Sequence, residues 1–144
     1  MDTNGYILAT TGIIAGNHND AYELQGTLKK LFQDLRRNGL NYKHALFNAD
    51  SSFDTRLARK MLWNYGVIPN IDENKRNRKT IKRGRKRHFN RDGYKQRFAS
   101  ERTFAWIDKF RTLLIRFERK DVFWLGFHYL GFTLINLRTI LAKA

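Results

Sequence analysis

The chain has 144 residues, a formal net charge of +15, 42% hydrophobic and 14% aromatic residues, and no cysteine. That length fits one domain burying roughly two-thirds of its surface, and the apolar content supports a core rather than a disordered chain. Without cysteine there is neither a disulfide scaffold nor a thiolate metal site, and the surplus of cations points to a polyanion: DNA, RNA or an anionic membrane surface.

The opening DTNG reads as a turn. Asn4-Gly5 favours a two-residue hairpin turn, because both central positions need positive φ. Residues 6–14 then carry the β-branched and aromatic residues of a strand. The arm that would pair with that strand through the turn is absent from the sequence. No basic region leads into an apolar run, so no signal peptide is expected. Asp20 is the candidate N-cap of a helix over 21–38, with Leu24, Leu28, Leu31, Phe32 and Leu35 on one stripe. Gly39 suits the left-handed position that closes it.

HALFNA, residues 44–49, reads as a short buried strand, and DSSFD as the turn after it. Asp54 or Ser52 is the candidate cap of a helix over 55–66. A second short strand follows at 67–71, where Pro69 suggests an edge position or a strand end. This alternation argues for an α/β fold with a mixed sheet, and it puts Asp50 at the carboxyl end of an inner strand. Residues 75–97 hold twelve Lys or Arg and one acid, Asp92, a local charge of +11. A run that dense favours nucleic-acid contact. Beyond it, Asn90 or Asp92 would cap a long helix reaching about residue 118. A last helix over 122–142 would follow an Asp121 cap. The apolar run 122–137 is shorter than the ~20 residues of a membrane helix, and His128 and Asn136 interrupt it. It reads as a core helix. The chain thus parses into a strand-and-helix part (1–71), a basic loop (72–92) and C-terminal helices (93–144).

At about 100° per residue, Trp106, Phe110, Leu113, Leu114 and Phe117 form the core face of the long helix. Glu101 lies nearly opposite, on a stripe with Tyr94, Phe98, Ala105, Asp108 and Thr112, and with Arg97 close by. Two apolar-leaning faces imply a sandwiched helix, which would bring Glu101 near the strand ends. Glu101 could equally be a surface acid paired with Arg97 at i−4, and Asp50 could be a turn former or cap. If both acids converge beside the basic loop, they suit metal-dependent phosphodiester chemistry, in which carboxylates hold divalent ions. His18, His44, His88 and His128 have no zinc-ligand spacing, and no glycine-rich phosphate loop is present.

Taken together, NADSSFDT, GVIPNI, NKRNRK and YKQRFASERTFAWIDKFRTLLIRFER resemble the C-terminal part of a bacterial insertion-sequence transposase of the DDE class, over essentially the whole chain. Tyr94, Arg97 and Glu101 match the family's Tyr-x2-Arg-x3-Glu signature; where a Lys often follows seven residues later, this chain has Asp108, with Lys109 beside it. The resemblance implies an RNase H-like fold, a mixed sheet flanked by helices, in which three acids bind two Mg2+ (or Mn2+) ions. Asp50 and Glu101 fall on two of those catalytic and metal-binding positions. The first family Asp belongs to a strand upstream of the turn that DTNG matches, and Asp2 falls on the turn. The resemblance therefore implies a chain truncated at its N-terminus, lacking the first strand and most of the second, and impaired in strand cleavage on its own. DNA contacts would come from Tyr94, Arg97, Lys75, Arg76, Arg78, Lys79, Lys82, Arg83, Arg85, Lys86 and Arg87. The implied partners are transposon ends and target DNA, with a full-length transposase or an upstream-frame product besides, in the cytoplasm and on the nucleoid when DNA-bound, with no membrane association. The alternatives are a non-catalytic nucleic-acid-binding fragment and, further off, a ribosomal-type RNA binder.

Overall fold

The computed structural model describes residues 1–15, 17–18, 22–77 and 87–142. They fall into two compact units, Ile14–Lys95 and a discontinuous one made of Met1–Ile13 with Gln96–Ala144.

In the unit Ile14–Lys95, α1 spans Leu24–Arg37 and buries Leu24, Leu28, Phe32 and Leu35. These are four of the five residues of the stripe that the sequence spacing predicts. The helix starts later than expected: Glu23, in a left-handed conformation, sits at the cap position, and Asp20 lies outside the described residues. Gly39, at φ +67, closes the helix. Its N–H donates to the Arg36 carbonyl and the Leu40 N–H to the Leu35 carbonyl, the paired bonds of a Schellman end.

Strand β1 (Leu46–Ala49) pairs in parallel with β2 (Ile68–Ile71), with Asn48 opposite Asn70. The first strand begins two residues later than expected. His44 has φ 63 and donates its N–H to the Gly66 carbonyl at 2.7 Å, a backbone state that a strand cannot hold. Between the strands run a 3-10 turn (Ser51–Phe53) and α2 (Arg56–Asn64). Thr55 caps α2, its hydroxyl accepting the Ala58 N–H at 3.1 Å, where Ser52 or Asp54 was expected. Asp54 is engaged elsewhere, as described below. Gly66 ends α2 with the same Schellman pairing used by α1. The core of this unit is Phe32, Leu62, Val67 and Ile71, each at most 2% exposed. Phe32 stacks on Tyr65 at 4.4 Å and meets Tyr42 and Phe47 at wider angles. The 3-10 turn Lys75–Asn77 and the short helix α3 (Arg91–Lys95) complete the described part of the unit.

In the other unit the single long helix expected from residue 90 or 92 to 118 is not formed. The stretch is α3, then α4 (Phe98–Ile107) and α5 (Arg111–Leu114). Phe110 is extended between α4 and α5. A side chain built on Gly131 of α6 (Asp121–Leu141) would meet Leu113 at 2.9 Å and Phe110 at 3.9 Å. Both residues pack on that glycine, as positions three apart on one helix face can. The expected core face is corrected accordingly. Leu113 is buried and Trp106 and Phe110 are partly so, but Leu114 and Phe117 are 61% and 64% exposed. The expected second apolar face fails too, since α4 buries Ala99 and Thr103 while Phe98 is 65% exposed. Asp121 opens α6 within its first turn and pairs with Arg116, whereas the cap position is Lys120.

The strand expected over 6–14 is also absent: the backbone of these residues joins no sheet. The Asn136 amide takes the place of a neighbouring strand at Ile7, accepting its N–H at 2.9 Å and donating to its carbonyl at 3.0 Å. A turn does form before it, but one residue earlier than expected: the Gly5 N–H donates to the Asp2 carbonyl at 3.2 Å, and of the Asn4-Gly5 pair only Gly5 has positive φ, at +91. It closes on Asp2, whose carboxylate accepts the N–H groups of Asn4 and Tyr6. Among the described residues no helix is long and apolar enough to cross a membrane.

Candidate functional site

Asp50 is the residue at which the chain leaves the carboxyl end of β1. Its backbone is extended, and one carboxylate oxygen caps the 3-10 turn by accepting the Ser52 N–H at 3.0 Å and the Ser51 hydroxyl at 3.3 Å. The residue is exposed, and a carboxylate can accept at both oxygens. Asp72 leaves β2 at the same end of the sheet, one residue past the Ala49–Ile71 pair.

Behind that end lies a ladder of asparagines. Asn70, 1% exposed, donates to the Asn48 side chain at 2.7 Å and to the Asn90 carbonyl at 2.9 Å, and accepts the Asn90 N–H at 2.8 Å. Asn48 donates to the Gly93 carbonyl, and the Asn90 side chain accepts the Gly93 N–H. Both strands and the start of α3 are thus joined through one buried amide, Asn70, and two half-buried ones, Asn48 and Asn90. A Cβ on Gly93 would stand 2.7 Å from Leu46 Cδ1, so a larger residue there would push the Leu46 side chain aside.

Asp54 forms the second polar cluster. Its side chain is 2% exposed and accepts from Arg59 Nε at 2.7 Å, from Arg87 Nη1 and from the Asn74 N–H at 3.0 Å. Burial pushes its carboxyl up. The hydrogen bonds from Arg59 and Asn74 and the charges of Arg59 and Arg87 outweigh burial and hold it below its ordinary value. Sequence reading treated Asp54 only as a helix cap and passed over Arg59 and the asparagines. A signal was present: both strands end in the pattern Asn-x-Asp, at 48–50 and 70–72.

In the helical unit, Glu101 lies in the first turn of α4 and is exposed; Arg97 Nη2 stands 3.9 Å from its Oε1. Asp108 sits at the C-cap position of α4, and Lys109 lies over the Trp106 ring at 4.0 Å. Arg138 of α6 lies over that ring too, at 3.6 Å. Tyr94 belongs to α3, where it meets Phe89 at 5.0 Å.

Of the expected DNA contacts, Lys75 and Arg76 are exposed on the 3-10 turn, and Arg87 pairs with Asp54. Arg78, Lys79, Lys82, Arg83, Arg85 and Lys86 lie outside the described residues. Asp50 and Glu101 belong to different units, and each offers hard oxygen donors of the kind divalent ions prefer. Among the described residues no three His, Asp or Glu side chains gather closely enough to hold a metal ion.

The α/β unit thus places an exposed acid at the carboxyl end of β1, one of the two strands of its sheet, in a chain of net charge +15. The sequence profile of the family described as Transposase DDE domain matches residues 1–137, and the chain belongs to that family. It is also 31% identical, over 141 residues, to the candidate transposase of insertion sequence element IS402 from Burkholderia cepacia. That alignment covers 96% of this chain and 61% of the relative, so the chain spans less than two-thirds of that protein's length. No solved structure matches the chain.

Proposed function

We propose that the chain is the part of a DDE transposase that carries two of its acids, Asp50 and Glu101, on an RNase H-like framework, and that it acts in DNA transposition. The observation that carries this reading is the place of Asp50: an exposed carboxylate at the carboxyl end of a parallel strand, within a family match over nearly the whole chain. In open α/β sheets ligands bind outside the carboxyl ends of the strands.

Asp50 and Glu101 would hold the divalent ion, Mg2+ or Mn2+, as a pair of ions in the complete site. When bound, such ions stabilise charge on the scissile phosphodiester and activate the attacking oxygen. The protein's own tasks are positioning and charge. The Asn48–Asn70–Asn90 ladder fixes the end of β1 from which Asp50 projects. Lys75, Arg76 and the basic stretch that follows them as far as Lys86, with Tyr94 and Arg97, would hold transposon ends and target DNA through the phosphate backbone.

The test is strand nicking and transfer on transposon-end DNA by the family protein of full length, with Asp50→Ala and Glu101→Ala introduced into it. Loss of a metal ligand removes several kcal/mol of transition-state stabilisation, so each change should lower the rate about 100-fold or more while DNA binding persists. Activity that survives either substitution defeats the reading.

The Asp50 cap and the Arg97–Glu101 pair also support a second reading, a DNA-binding partner or competitor of a full-length transposase without catalysis of its own. Its mark is a steep salt dependence indifferent to Mg2+ and to both acid substitutions.

A further inference from the structure

Asp54 joins parts of the chain that are far apart in sequence. Its Oδ1 accepts from Arg59 on α2 and from Arg87, and its Oδ2 accepts the Asn74 N–H. The second arm of Arg59 donates to the Ile71 carbonyl at 2.7 Å, the last residue of β2. The Asp54 N–H closes onto the Ser51 carbonyl at 3.1 Å, within the turn that Asp50 caps. One carboxylate therefore ties the Asp50 turn and the end of β2 to Asn74 and Arg87, which flank the basic stretch on its two sides.

Charge arithmetic explains why two arginines are present. A buried carboxylate needs a hydrogen-bonded cation to stay ionised, and Arg59, 9% exposed, already supplies one. Arg87 is a second cation drawn inward from the most basic part of the chain. An arginine whose only task was phosphate contact would have no reason to meet a side chain that is 2% exposed.

We propose that Asp54 is a positioning residue for DNA binding: it pins both roots of the basic stretch, and Arg87 serves as a root of that stretch instead of a phosphate contact. This rests on the reading of the stretch as DNA-contacting. Pinning lowers the ordering cost of association. The outward cations Lys75 and Arg76 then meet the phosphates.

The experiment titrates the full chain with duplex DNA of arbitrary sequence across a salt series, as wild type, R87Q, R87K, D54N, D54N/R87Q and K75Q/R76Q. Replacing Arg87 by Gln or Asp54 by Asn should weaken binding about three- to tenfold and leave the slope of log affinity against log salt unchanged. The double variant should be no weaker than the weaker single one. K75Q/R76Q should reduce the slope by about two, which shows that the assay registers lost phosphate contacts. A slope reduced by about one in R87Q makes Arg87 a phosphate contact and overturns the proposal, as does full affinity in R87Q.

Should D54N not fold, R87K decides. Lysine keeps the charge but loses the fork that reaches Asp54, so the proposal expects R87K to behave as R87Q does, and binding at the wild-type level overturns it. Wild-type protein that fails to bind DNA sinks the proposed function instead. The clasp is then read from amide exchange at Asn74, where faster exchange in R87Q than in wild type supports it and equal rates overturn it.

Discussion

The two units solve the packing problem differently. In Ile14–Lys95 two amphipathic helices lay narrow apolar stripes on a short parallel sheet, and the polar groups at the strand ends are matched inside the protein. The helical unit buries Ala99, Thr103, Leu113, Gly131 and Ile135, while Phe98, Phe104, Phe117 and Val122 are each more than 60% exposed. The geometry around Asp50 is therefore set by many mutually satisfied contacts, and that around Glu101 by few. Apolar content does not decide this. α6 is more hydrophobic than α4 and apolar on every side, yet among the described residues it buries only Gly131 and Ile135.

Four substitutions or conditions can break or sharpen that contrast. Phe32→Ala should cost the strand-bearing unit about 3–5 kcal/mol in a urea melt; a loss below about 1 kcal/mol would mean that its core is no better packed than the helices. Acid should act next. Asp54 is held below its ordinary value of 3.8 in the fold, so its stabilisation is complete above that value and is lost as pH falls through the lower folded value. Breaking a buried pair costs about 3–5 kcal/mol. Wild type should therefore lose stability in strong acid, and Asp54→Asn, less stable at neutral pH, should show a shallower acid transition. Asn70→Leu should cost about 1–3 kcal/mol by orphaning the Asn48 and Asn90 groups, with exchange at the Gly93 amide speeding up first. Glu101→Gln should change stability by only a few tenths of a kcal/mol, since its Arg97 pair is long and solvent-facing. A larger loss at Glu101 would show a structural duty for that acid.

Local signals carried much of the strand-bearing unit. The stripe from Leu24 to Leu35, the two short strands, Gly39 and the place of Asp50 after β1 all follow from periodicity and turn chemistry. Where the reading failed, distant contacts overrode local pattern. The helical wheel draws one straight rod, but α4 ends at Ile107 and Phe110 is extended before α5. Residues 6–14 have strand composition, but the partner they meet is the side chain of Asn136. Asp54 reads as a cap because sequence spacing shows its neighbour Thr55 and not Arg87, thirty-three positions away. Spacing and the family resemblance both single out Asp50 and Glu101 as candidates, and neither points to the asparagine ladder beside Asp50.

The grip of Asn136 on Ile7 also bears on the order of assembly. A ribosome releases Ile7 well before Asn136, which lies 129 positions further along the chain, and domains tend to fold as they emerge. The strand-bearing unit, continuous from Ile14 to Lys95, can mature while the chain is still growing. Ile7 must wait, tethered and unclaimed, until Asn136 has emerged.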